Sequence, residues 1–189
     1  MTTCSWSKSH PLMVRYHDEE WGKPVKDDRT IFEFLVLKSA QAGLSWLTIL
    51  KKREGYRRAL ANFEARRVAL FGVREVLKLL NNPDIVRNRL KIEATINNAK
   101  RFLEIQKEFG TFSKYMWGFV NGRPIDGQRA SAADIPTLTE ESKIFATDLK
   151  KRGFKFLGPT TLYAHMQAVD MVNDHVKTCF RYQELKNLL

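Results

Sequence analysis

His175 and Cys179 stand four residues apart near the end of a chain that holds only four histidines and two cysteines. On a helix that spacing puts both side chains on one face, one turn apart, where they can grip one metal ion. Cys4 and His17, at the other end, are of matching type and complete a Cys2His2 set. Four protein ligands leave no open position, so such a site is structural rather than catalytic, and it would staple the N-terminus to the last helix. The residues alone also allow two core cysteines with surface histidines, or a single disulfide, which a cytoplasmic setting disfavours. His10 and His165 have no partners of matching type and read as ordinary residues.

The second chemical signal is charge. The 189 residues carry a formal net charge of +11. Nearly all of the excess falls in residues 51–101, which hold fourteen basic and five acidic side chains. A field so localised attracts a polyanion, and nucleic-acid phosphates are the expected partner; solvated helix faces are the alternative. No apolar run is long enough to span a bilayer, and the opening MTTCSWSKSHP is not a signal peptide. The expectation is a cytoplasmic, monomeric protein with no membrane partner. A hydrophobic fraction of 43% supports a sizeable core in one domain, residues 1–189, built from two helical lobes.

The elements that must position these residues are helices, because the apolar period is mostly 3.6. Asp27 and Asp28 can cap a helix with Ile31, Phe32, Leu35 and Val36 inward, ending before Gly43. Ser45 can cap the next, with Trp46 in its first turn. A short helix over 73–80 meets the break Asn81-Asn82-Pro83-Asp84. A long helix comes next over about 85–108, and another carries Phe112 to Val120. Residues 121–138 read as an irregular connection. Thr139 starts a helix that Gly153 ends, and Pro159 opens one more. No segment reads as a strand, so the fold class is all-α.

Five segments then carry a resemblance: Cys4-Ser5-Trp6, Tyr16 to Gly22 (YHDEEWG), Gln41 to Trp46 (QAGLSW), Lys150 to Phe156 (KKRGFKF) and Val172 to His175 (VNDH). In order and spacing they are similar to the DNA-3-methyladenine glycosylase I family. The resemblance implies a helix-hairpin-helix DNA glycosylase fold and a structural zinc, one per chain, on Cys4, His17, His175 and Cys179. It implies double-stranded DNA with alkylated adenine as substrate and free 3-methyladenine as product. The DNA-backbone hairpin should fall at Leu79–Ile92, LLNNPDIVRNRLKI, with Arg87, Arg89 and Lys91 as phosphate partners. That hairpin lacks the superfamily's usual glycine pair.

A base must leave the duplex stack to be excised, and a flat heterocycle is held best between aromatic faces. By resemblance, Tyr16 and Trp46 stack on the base while Trp6 and Trp21 line the pocket. Trp117 lies outside the motifs and reads as core. The implied reaction is hydrolysis of the N-glycosidic bond, with a leaving base already activated by its positive charge. The family carries a pocket glutamate that aligns with Lys38. A carboxylate accepts hydrogen bonds from the base, whereas an ammonium can only donate. Lys38 therefore allows two further readings: a DNA-binding protein of weak, absent or shifted activity, or a lysine nucleophile forming a Schiff base. Glu33, five residues earlier on the same helix, is expected to point elsewhere.

Overall fold

The computed structural model describes residues 2–186, and it is mostly helical. In chain order the helices are α1 (Pro11–Glu19), α2 (Asp28–Gln41), α3 (Trp46–Ala59), α4 (Ala65–Val68) and α5 (Val73–Leu80). They continue as α6 (Arg89–Phe109), α7 (Phe112–Trp117), α8 (Glu140–Lys151), α9 (Pro159–Ala168) and α10 (Phe180–Lys186). Caps written into the sequence set most of their starts. Asp27 accepts from the Thr30 amide at 2.8 Å, Ser45 from Thr48 at 3.1 Å and Asn88 from Lys91 at 3.1 Å. Pro11 and Pro159 occupy first turns, where a missing N–H costs nothing. Among the described residues no helix is long and apolar enough to cross a membrane.

α2 is the central element. Every residue from Ile31 to Ala40 is buried, with α3, α6, α7 and α9 packed around it. Its start is held from outside as well. Asp28, expected as a cap, instead accepts from the Phe112 and Ser113 amides at 2.8 and 2.7 Å and so carries the N-terminus of α7.

Three expectations change. The long helix starts at Arg89, not 85, because residues 81–88 form a turn. There Asn82 accepts from the Asp84 amide, Ile85 plugs into the core and Asn88 caps α6. The stretch 112–120 ends its α-helix at Trp117 and closes as a 3-10 turn. A strand pair does exist: Ile125 and Asp126 (β1) lie parallel to Val172 and Asn173 (β2), tying the 121–138 connection to the C-terminal segment. It is two residues long, too short for any alternating pattern to show.

The turn between α5 and α6 rests on α3. Lys52 donates to the Pro83 carbonyl at 2.6 Å, Arg58 pairs with Asp84 at 3.0 Å, and the Val86 amide donates to the Tyr56 hydroxyl at 3.1 Å. Gly55 makes the approach possible, since a Cβ there would run into the backbone and side chain of Asp84. Glycine to alanine in a helix ordinarily gains up to about 1 kcal/mol. Here overpacking should win, and Gly55→Ala should lose about 1–3 kcal/mol in urea unfolding. A more stable variant would show that the turn does not lean on α3.

Candidate functional site

Four ligand-type side chains meet where the two ends of the chain come together. Cys4 precedes a 3-10 turn, His17 lies near the end of α1, and His175 and Cys179 lie just before α10. All are buried, and their donor atoms lie within 4.8 Å of one another. The last two share a turn rather than the helix their spacing suggested: the Cys179 amide donates to the Val176 carbonyl at 2.7 Å. Neither cysteine is in a disulfide.

The set fits a tetrahedral cation. Ligand bonds of about 2.3 Å to sulfur and 2.1 Å to nitrogen require sulfur–nitrogen edges of about 3.6 Å. Cys4 Sγ lies 3.6 Å from His175 Nδ1, and Cys179 Sγ lies 3.5 Å from both His175 Nδ1 and His17 Nε2. Each imidazole is held by its other nitrogen: His17 Nδ1 on Asp18 at 2.6 Å, and His175 Nε2 on the Trp21 carbonyl at 3.3 Å. That is how metal-binding histidines are oriented. The two thiols oppose each other. Cys179, facing Cys4 and both histidines, is held well below the usual thiol range, and its thiolate pushes Cys4 well above it. A cation binding both as thiolates removes the conflict.

Trp6 and Trp21 pack here as well. Their rings meet edge to face at 5.0 Å, with Trp6 5.3 Å from His17 and Trp21 4.4 Å from His175. They wall the ligand cluster. Tyr16 links this group to Trp46, its ring centroid 6.4 Å from that of Trp6 and 5.2 Å from that of Trp46. Trp117 is core, as expected, and donates to the Val25 carbonyl at 3.1 Å.

Lys38 joins the Tyr16–Trp46 pair. Its ammonium lies 3.6 Å from the centroid of Trp46 and 5.9 Å from that of Tyr16. This is cation–π geometry. Burial pushes the lysine down to about 7. The Tyr16 hydroxyl and the Trp46 indole N–H are buried without hydrogen-bond partners. A cavity of about 230 Å³ opens beside Lys38, lined by Gln41, Ala42, Gly43 and Leu44 on one side and Thr160, Thr161 and Ala164 on the other. Its size suits one heterocycle rather than a larger ligand. His165, unremarkable in the sequence, is buried close enough for Lys38 to act on it. Burial first, and then the Lys38 charge, push it down to about 3, so it is neutral. Only the tertiary fold connects it to the pocket. Glu33 does point elsewhere, paired with Arg53 and with Arg57 at 2.9 Å.

The three cations of the hairpin differ. Arg87 is exposed and has no ion pair among the described residues. Arg89 pairs with Glu93 at 3.3 Å across one turn of α6. Lys91 turns inward and donates to the carbonyls of Ala40 at 2.9 Å and Ala42 at 2.6 Å.

A mostly helical body that sets a small, lysine-lined cavity beside a cationic hairpin suits a DNA glycosylase. Residues 6–182 match the methyladenine glycosylase family, and the chain belongs to it. It is 43% identical to DNA-3-methyladenine glycosylase 1 of Escherichia coli, covering 96% of this chain and 97% of that one. A crystal structure of 3-methyladenine DNA glycosylase I superposes with a TM-score of 0.92 at 46% identity, covering 95% of this chain and 98% of that one. A tyrosine-to-phenylalanine variant of such an enzyme, in complex with 3-methyladenine, superposes equally at 0.92 with 40% identity, covering 95% and 97%.

Because the cluster joins segments more than 150 residues apart, cation removal should loosen both ends together. A strong chelator is expected to lower the melting temperature of the purified protein. Cys179→Ser should melt near the chelated value and respond little to the chelator. Equal melting with and without chelator would remove the metal from the structural account.

Proposed function

We propose that the protein is a base-excision repair glycosylase that takes 3-methyladenine out of alkylated duplex DNA into the cavity beside Lys38 and hydrolyses its N-glycosidic bond. The observation that carries the assignment is Lys38, which lines a small cavity and lies over the faces of Tyr16 and Trp46, two rings whose polar atoms are buried without hydrogen-bond partners among the described residues. Buried polar groups without partners are costly and mark places a ligand completes. The relatives are named as enzymes of this reaction, which favours the glycosylase over a DNA-binding protein without activity.

In the reaction a water oxygen bonds to the sugar C1′ and gives up one proton to solvent, and the base leaves with the electron pair of the broken C–N bond. That pair cancels the positive charge of the alkylated base, so no strong acid is needed. What remains for the protein is to flip and stack the base and to admit the attacking water. Tyr16 and Trp46 supply stacking worth about 1–3 kcal/mol per contact, and a cationic base adds a cation–π term. Trp6, 6.4 Å from Tyr16, and Trp21, 5.0 Å from Trp6, stand behind this platform. We assign zinc to that cluster: a closed Cys2His2 set suits zinc, and its role is to tie the first and last segments together.

Arg87 and Arg89 are the residues we assign to the DNA backbone. Arg87 is the freer of the two. Arg87→Ala should weaken binding to all duplex sequences alike and flatten the slope of log K against log salt by about 0.9. An unchanged slope would move the phosphate contact to another cation of residues 51–101.

Lys38 sets the pH dependence. Tyr16, Trp46 and His165 face it, and none carries a charge at neutral pH, so its own proton decides the local field. Below about pH 7 the ammonium is charged. It then repels a cationic nucleotide by roughly 4 kcal/mol at 4 Å and an effective dielectric near 20. Above that pH the neutral amine offers a lone pair to the base's N–H groups. Single-turnover excision is therefore expected to rise between about pH 6 and pH 8, on either side of the lysine's value near 7. Lys38→Met should flatten the profile, and Lys38→Glu should raise the rate and tighten binding of free 3-methyladenine. If Lys38→Glu instead lowers both, the lysine has a positive role that charge repulsion does not describe.

A further inference from the structure

We propose that Lys91 is a positioning residue that ties the DNA-gripping hairpin to the rim of the base cavity; the inference rests on the glycosylase reading above. Its sequence neighbourhood suggests a phosphate contact, but its geometry is different. Two of its three ammonium donors are spent on the carbonyls of Ala40 and Ala42, at 2.9 and 2.6 Å. These belong to the last turn and the cap of α2, where carbonyls have no partners within the helix and the helix dipole favours a cation.

The link joins two rigid parts through one soft one. At one end, Lys91 sits in the first turn of α6, its amide held by Asn88 and its carbonyl receiving the Thr95 hydroxyl at 2.9 Å. The hairpin turn that precedes it is seated on α3 through Lys52, Tyr56 and Arg58. At the other end lies the segment Gln41–Leu44, which forms one wall of the cavity. Within that segment, the Ala42 amide reaches the Ser39 carbonyl only at 3.4 Å, Gly43 has φ +77°, and Leu44 is 40% exposed. Beyond the helix, the Leu44 amide donates to the Gln41 carbonyl at 2.7 Å. Lys91 supplies the bond that leads from this wall to the hairpin. DNA held by Arg87 thereby sets where the wall stands when the base arrives. The hairpin divides its cations accordingly, Arg87 outward to the backbone and Lys91 inward to the pocket.

The test compares K91M, which keeps the stem and loses the donors, with K91R, which keeps donors for both carbonyls. Circular dichroism melts establish that each is folded; if K91M is not, K91Q takes its place. Three quantities are read: the salt slope of binding to undamaged duplex, the single-turnover excision rate on methylated duplex, and affinity for free 3-methyladenine by tryptophan fluorescence. K91M should leave the slope unchanged, lower the rate about 10–100-fold and weaken free-base binding several-fold, with K91R restoring both to within about threefold. A slope reduced by about 0.9 with an unchanged rate would make Lys91 a phosphate contact and overturn the proposal. So would K91M with wild-type rate and free-base affinity, or loss of rate in K91M and K91R alike. Should the wild-type protein excise nothing, the glycosylase reading fails, and free-base affinity still decides the coupling.

Discussion

Enclosure of α2 is the constraint on which the other features depend. A helix with ten consecutive buried residues has no solvated face on which to place a polar group. Each polar side chain it carries must find a partner inside the protein or leave a cost for a ligand to remove. Glu33 finds Arg53 and Arg57. The terminal carbonyls find Lys91. Among the described residues Lys38 finds the face of Trp46 and, further off, that of Tyr16. A cavity opens beside this incompletely paired side chain.

That incompleteness gives the pocket its chemistry. A lysine in water is a cation at any physiological pH, and removing that water brings it down to about 7. The same desolvation, with Lys38 nearby, keeps His165 neutral. The pocket can thus exchange a fixed charge for a neutral amine over a narrow pH range. It does so over the face of Trp46, whose quadrupole attracts cations.

The ligand cluster solves a different problem. The segments bearing Tyr16 and its neighbours lie at the start of the chain, while α9 and the cavity's far wall lie near its end. Short contacts between distant segments lose much chain entropy, and a cation held by the four side chains would offset that loss at one point. Trp6 and Trp21 pack on His17 and His175, so ion–ligand bonds formed there would lie in a low dielectric.

Local patterns carried most of the secondary structure. The caps at Asp27, Ser45 and Thr139, the first-turn Pro159 and the 3.6 period of the apolar residues act over a few residues, so they are legible in the chain. The ligand types were legible too, because only cysteine and histidine in such small numbers offer that chemistry. What the sequence could not determine was where side chains go when distant segments pack. The spacing of His175 and Cys179 fits a helix and is met by a turn. The edge-on packing of Trp6 on His17 and of Trp21 on His175 has no signal in the motifs that carry them. Lys91 carries the charge of a phosphate contact, yet its ammonium is drawn inward by two carbonyls about fifty residues away. Asp28 looks like a cap and anchors α7, and His165 has no signal in the sequence at all. In each case the deciding energy is desolvation or a hydrogen bond between segments far apart in the chain, and such terms exist only once the fold has brought them together.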